Sequence, residues 1–152
     1  MLHSAKGRFL SEVHAVVGGA VLAANALVGV WGAVAWLRKT PSVAFWPLLR
    51  VAQALVVVQV LLGLLLLARG ERAHDDLHLL YGIAPLVVSL VSEGMRIGAA
   101  QRELEGVEDF ESLERREQVA LARRVALNEM GVMTVGALLI LTLALRAFQT
   151  GG

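Results

Sequence analysis

The sequence predicts an all-α integral membrane protein, a bundle of four transmembrane helices with both termini on the same side. Of its 152 residues, 57% are hydrophobic, whereas average soluble domains stay near 45–50% by a similar count. Charged residues divide the chain into four apolar segments, each close to the roughly 20 residues that cross a bilayer. The chain has no cysteine, which excludes disulfides and thiolate metal sites, and its net charge of +1 gives no reason to expect a nucleic acid partner.

The first two predicted spans cover residues 13–37 and 45–68. The first contains no charged side chain. Because its apolar run exceeds the roughly 7–15 residues of a secretory signal, we interpret it as a span. The second span has one charged residue, Arg50, near its start. Together they predict a helical hairpin whose turn holds the polar residues 38–44.

The third and fourth predicted spans cover residues 77–97 and 125–145. The hydrophilic segment between them, residues 99–118, holds seven of the 13 acidic residues. Apolar side chains recur there at every third position from Leu104 to Leu113. This period predicts a short amphipathic helix at the membrane surface. The segment can serve either as a solvated connector or as a site that docks a partner protein.

An even number of spans places both termini at one end of the bundle. We call this the terminal end (residues 1–12, 69–76 and 146–152), and the other the opposite end (loops 38–44 and 98–124). Basic residues are more numerous at the opposite end. The positive-inside bias therefore predicts that these two loops are cytoplasmic and that the termini lie outside a cell membrane.

Two histidines begin spans that run in the same direction. His14 lies near the start of the first span and His78 near the start of the third, so both are expected at one depth close to the terminal end. Each is followed four residues later by a glycine, Gly18 and Gly82, on the same helix face. Two neutral imidazoles with room for a flat macrocycle predict axial ligation of haem b.

Basic residues at the terminal end could bind the haem propionates: Lys6, Arg8, Arg69 and Arg72. Two alternatives use the same histidines differently. Both could be structural residues at the membrane interface, or they could serve another metal or a proton. His74 with Asp75 and Asp76 could instead hold a divalent metal at the surface.

Three sequence features resemble the haem A synthase family. They are Glu12-Val-His14, the stretch Gln59-Val-Leu-Leu-Gly63, and the histidine that opens the next span, His78. The resemblance covers about residues 12–82. It implies a bundle that binds haem through paired histidines, like the four-helix halves of that family; the paired histidines also resemble those of small membrane b-type cytochromes. Because that family joins two such halves and this chain has one, the resemblance implies haem binding rather than haem hydroxylation.

A second polar group is expected near the opposite end, inside the spans. An intramembrane carboxylate requires a cation or a proton, so we expect Arg50 to pair with Glu93 or Glu129, with Arg96 and Arg124 as substitutes. Such a group either fixes the helix register or conducts protons in a small transporter. The predicted members of this group are Arg50, Gln53, Glu93, Asn128 and Glu129.

Three classes of function follow from these patterns. The first is a haem-binding bundle for electron transfer, haem handling or oxidase assembly, working with a redox partner or a membrane complex. The second is a non-catalytic membrane subunit that docks a partner through residues 99–118. The third is a proton-coupled transporter that uses Glu93 and Glu129. Hydrolase motifs such as the His-Glu-x-x-His zinc motif are absent from the sequence.

Overall fold

The computed structural model describes residues 2–71 and 77–151, with side chains from residue 7 onward. This part of the chain is all-α and contains four helices. They are α1 (Leu2–Leu37), α2 (Phe45–Ala68), α3 (Leu77–Leu104) and α4 (Arg115–Gly151). All four are long and apolar enough to cross a membrane. The predicted all-α class with four such helices is confirmed.

The helices end where the sequence changes its backbone preference. After α1, Lys39 adopts a left-handed φ of 52°, and Pro41 follows. After α2, Gly70 has a φ of 84°, a conformation that glycine adopts without steric cost. Helices α1, α3 and α4 extend beyond the predicted spans, because charged residues end an apolar run without ending a helix.

Consecutive helices run antiparallel, so the chain passes up, down, up and down. Helix α1 packs against α2 and α4, and α3 packs most extensively against α4 and less against α2. Helices α1 and α3 therefore run in the same direction at diagonal corners of the bundle. This diagonal arrangement places their side chains opposite each other across the bundle axis.

The main hydrophobic core lies in the half of the bundle near the opposite end. Its largest buried side chains are Phe45 of α2 and Met130 and Met133 of α4, and they pack with residues of α1. Gly32 of α1 faces the side chains of Thr134 and Phe45 so closely that a Cβ there would overlap both. The outer surface is also apolar, with many exposed Leu and Val side chains, as expected for a protein solvated by lipid.

The connector differs from its prediction. No separate amphipathic helix forms over residues 99–118. Helix α3 continues to Leu104, α4 begins at Arg115, and only residues 105–114 lie outside the helices. The three-residue period of apolar side chains therefore spans a helix end and a turn rather than one helix.

Local polar contacts explain why the connector is not helical. Gly106 has a φ of 84°, which ends the helical path. The Asp109 carboxylate accepts a hydrogen bond from the Glu111 backbone N–H at 2.9 Å. The Gln118 side-chain amide donates to the Leu113 carbonyl oxygen at 3.0 Å. Because side chains satisfy these backbone groups, a turn competes well with a helix here.

Candidate functional site

The two histidines singled out in the sequence meet across the bundle near its terminal end. The ring centroids of His14 and His78 lie 6.1 Å apart, with 66° between the ring planes. Both side chains are partly buried. The contact follows from the topology, because parallel helices at diagonal corners bring residues of equal depth together.

The tautomer of His78 is determined by α4. Its Nδ1 lies 2.9 Å from the carbonyl oxygen of Ala147. A carbonyl oxygen only accepts hydrogen bonds, so Nδ1 must carry the proton, and the Nε2 lone pair is left free. A hydrogen bond from the ring nitrogen that does not bind the metal to a backbone carbonyl is typical of metal-bound histidine. Gly151 lies against the imidazole, where a Cβ would come within 2.6 Å of Cε1, so the end of α4 closes over the ring.

His14 is held by α2 and has an unmet hydrogen bond. Its Nε2 lies 3.3 Å from Nε2 of Gln59. Its Nδ1 and the Gln59 Oε1 are both buried without a hydrogen-bond partner in the described part of the chain. Rotating the Gln59 amide by half a turn lets Oε1 accept from His14 Nε2–H, which leaves the Nδ1 lone pair free. Buried polar atoms without partners require an explanation, and a further bound group supplies one.

Three glycines shape the space around these rings. Gly63 of α2 supports the His14 ring, since a Cβ there would lie 3.3 Å from its Cε1. The space at Gly18 is occupied by the Gln59 amide, which lies 3.0 Å from where a Cβ would be. A Cβ at Gly82 would meet no described atom within 4 Å. Of the two glycines expected to make room for a macrocycle, Gly82 faces open space and Gly18 does not.

The basic residues expected around the site are only partly described. Arg8 and Arg69 are exposed at the terminal end. The Lys6 side chain lies outside the described part of the chain, and so do Arg72 and the candidate surface metal site, His74 with Asp75 and Asp76. The described basic side chains therefore flank the His14 and His78 end of the bundle without entering it.

The donor set fits a haem iron. Among the described residues, no three His, Cys, Asp or Glu side chains converge to hold a metal ion, although protein-only zinc sites use three or four ligands. A porphyrin supplies four nitrogens, so two imidazoles complete the set. His14 and His78 would be the residues that hold such an iron, since their ring centroids lie 6.1 Å apart.

The second predicted polar group forms a continuous ionic chain. Glu93 accepts hydrogen bonds from Arg50, from the Gln53 amide at 2.8 Å and from Arg96 Nε at 2.9 Å. Arg96 also donates to Glu129 at 2.8 Å. The chain Arg50–Glu93–Arg96–Glu129 therefore contains two cations and two anions, and links α2, α3 and α4. Because each carboxylate pairs with an arginine in a charge-neutral chain, the structural interpretation is favoured over proton conduction.

Two details of this group were not predicted. Asn128 does not join it, because its amide donates to Glu103 at 2.6 Å, next to the Arg124–Glu103 ion pair at 3.2 Å. Arg96, expected only as a substitute, is the central member and also lies over the Trp46 ring, with its Cζ 5.6 Å from the centroid. The sequence spacing predicted the depth of Arg96 along α3. Its partners depend on its position around the helix, which the spacing does not give.

Comparison with known proteins adds no family. No protein-family model, no curated protein and no solved structure matches this chain. The function is therefore inferred from the geometry of the site itself.

Proposed function

We propose that this protein is a membrane-embedded, haem b-binding four-helix bundle in which His14 and His78 are the two axial ligands. One observation carries the proposal: two imidazoles from diagonal helices lie in edge contact, with their ring centroids 6.1 Å apart and 66° between the ring planes. The hydrogen bond from His78 Nδ1 to the Ala147 carbonyl supports it, because it leaves Nε2 free for a metal. The unpartnered Nδ1 of His14 supports it independently.

The residues of this chain orient the two ligands. Ala147 fixes the His78 ring through Nδ1 at 2.9 Å, and Gln59 and Gly63 hold the His14 ring from α2. Bound haem would supply one-electron redox chemistry at its iron. If His14 and His78 both bind the iron, no ligand position would be left for a substrate. This favours electron transfer or haem handling over oxygen activation.

The four apolar helices support placement in a bilayer. We place the protein in a cell membrane with its termini outside and loops 38–44 and 98–124 in the cytoplasm, following the positive-inside bias. Electrons would then be exchanged at the terminal end, where His14 and His78 lie. The expected partner is a redox protein or a membrane complex, such as an oxidase during assembly.

The test is an absorption spectrum of the detergent-purified protein, oxidised and then reduced with dithionite. The proposal predicts a sharp Soret band, with resolved α and β bands after reduction. His14→Ala and His78→Ala should each lose this spectrum, and His3→Ala should retain it as the matched histidine control. A protein that stays colourless after haem is added would overturn the proposal.

A second candidate function is supported by the connector. Residues 105–114 form an acidic loop, in which Phe110 is 42% exposed. An exposed aromatic ring among carboxylates is suited to a basic partner surface. This candidate, a non-catalytic subunit, predicts a colourless protein that co-purifies with one partner and loses it on Phe110→Ser. Glu108→Gln, in the same loop, would show how much of the binding depends on charge.

A further inference from the structure

A groove runs along the outside of the bundle between α3 and α4. Its volume is about 570 Å³, within the roughly 300–1,000 Å³ of small-molecule sites. Its apolar walls include Val87, Val91 and Met95 of α3 and Val135 and Leu139 of α4. These five side chains are 48–58% exposed, so no described part of the chain covers them.

Close packing of α4 against α3 and α1 fixes the floor of the groove. Gly136 lies against the Ser92 side chain, and a Cβ there would overlap it. One and a half turns earlier, a Cβ at Gly131 would lie 3.1 Å from the indole of Trp36. Because these glycines pack so closely against their neighbours, the groove is a preformed feature of the fold.

Among the residues that line the groove, one cation at the end nearest the opposite end of the bundle has no ion pair. Arg102 lines the groove there and is exposed, without an ion pair or hydrogen bond in the described part of the chain. Its neighbour Glu103 is already paired with Arg124 at 3.2 Å and with Asn128 at 2.6 Å. An anion is therefore the complement that Arg102 lacks inside the groove.

The length of the groove matches one leaflet of a bilayer. From Val87 to Arg102 the helix advances 15 residues, or about 22 Å at 1.5 Å per residue. Half of a bilayer, headgroups included, measures about 20–22 Å. With Arg102 at the headgroup level, Val87 therefore lies near the membrane midplane.

From these features we infer that the groove binds a phospholipid with an anionic headgroup, taken from the leaflet at the opposite end. Arg102 binds the headgroup phosphate, and one acyl chain lies along Val91 and Met95. A second helix in the groove would instead cover Arg102 without neutralising it, which is costly. The inference depends on the proposed membrane location and is independent of haem binding.

The experiment uses the full chain in nanodiscs that contain equal amounts of phosphatidylglycerol and phosphatidylcholine. Native mass spectrometry after release into detergent counts the lipids that remain bound. We expect one phosphatidylglycerol per chain, and about tenfold weaker retention in Arg102→Gln, since a charge-assisted hydrogen bond is lost. Arg116→Gln removes an exposed charge outside the groove and should retain the lipid. Equal losses in both variants would show general surface attraction and overturn the inference.

A second pair of variants tests the groove itself. Val91→Trp fills it, and Leu90→Trp adds the same side chain at a 66% exposed position outside it. Only Val91→Trp should lower the retention of phosphatidylglycerol. Equal retention of both lipids by the unmodified protein would contradict the inference. So would a dimer that Val91→Trp breaks without any change in lipid binding, because the groove would then hold a second copy.

Discussion

Replacing Arg96 with glutamine should be the most destabilising single charge removal in the ionic chain. Arg96 bonds Glu93 at 2.9 Å and Glu129 at 2.8 Å, and its side chain is only 22% exposed. Glu93 would keep Arg50 and Gln53. Glu129, 18% exposed, would keep no ion-pair partner in the described part of the chain. The loss of folding free energy is therefore set by the Glu129 carboxylate, which is left without a partner.

The magnitude follows from that lost pairing. Removing one partner of a fully buried ion pair costs about 3–5 kcal/mol. Because Arg96 and Glu129 retain about a fifth of their exposure, we expect about 2–3 kcal/mol. For a chain of this length that corresponds to a fall in Tm of roughly 4–12 °C. Thermal unfolding in detergent, followed by circular dichroism, measures it.

Arg124→Gln is the matched control. Arg124 also pairs with a glutamate of the bundle, but its side chain is 63% exposed, so its loss should cost less than about 1 kcal/mol. Adding Glu129→Gln to Arg96→Gln should recover part of the loss, since the unpaired charge is removed. If Arg96→Gln shifts Tm no more than Arg124→Gln, the buried-pair reasoning is refuted.

Two further predictions concern the close packing at Gly32 and the contact between Gln59 and His14. Gly32→Val should destabilise the fold by about 1–3 kcal/mol, because the new side chain overlaps Thr134; Gly19→Val, where a Cβ meets nothing within 4 Å, should change Tm little in the same thermal assay. Gln59→Leu should lower haem affinity about 10–100-fold in a haem titration, because it removes the polar neighbour 3.3 Å from His14. Unchanged haem affinity would exclude Gln59 from the site, and equal Tm values for the two glycine variants would contradict the packing argument.

The sequence predicted well how deep each side chain lies in the membrane. It predicted poorly which neighbouring helix each side chain contacts. Charge boundaries located the ends of α1 and α2 at Leu37, Phe45 and Ala68, as the structure has them. The starts of the first and third predicted spans, which run in the same direction, placed His14 and His78 at one depth in the membrane. Whether two helices are adjacent or diagonal depends on packing between elements far apart in the chain, which no local pattern records.

The missed contacts have the same cause. The His78 bond to Ala147 joins residues 69 positions apart, and Gln59 approaches His14 across 45 positions. Gln59 was noted through the family resemblance and without His14 as its partner, and Arg96 was expected only as a substitute. The prediction of a helix in the connector was wrong for a local reason. Its three-residue apolar period is also compatible with turns, which here are held by a hydrogen bond from Gln118.

The central claim is that His14 and His78 together hold one haem iron. Low-temperature electron paramagnetic resonance of the oxidised, haem-loaded protein tests it most directly, because two axial imidazoles make ferric haem low-spin. We predict one low-spin haem per chain, converted to a high-spin signal or lost in His14→Ala and in His78→Ala. A high-spin signal in the unmodified protein, or a low-spin signal that survives in both variants, would contradict the account.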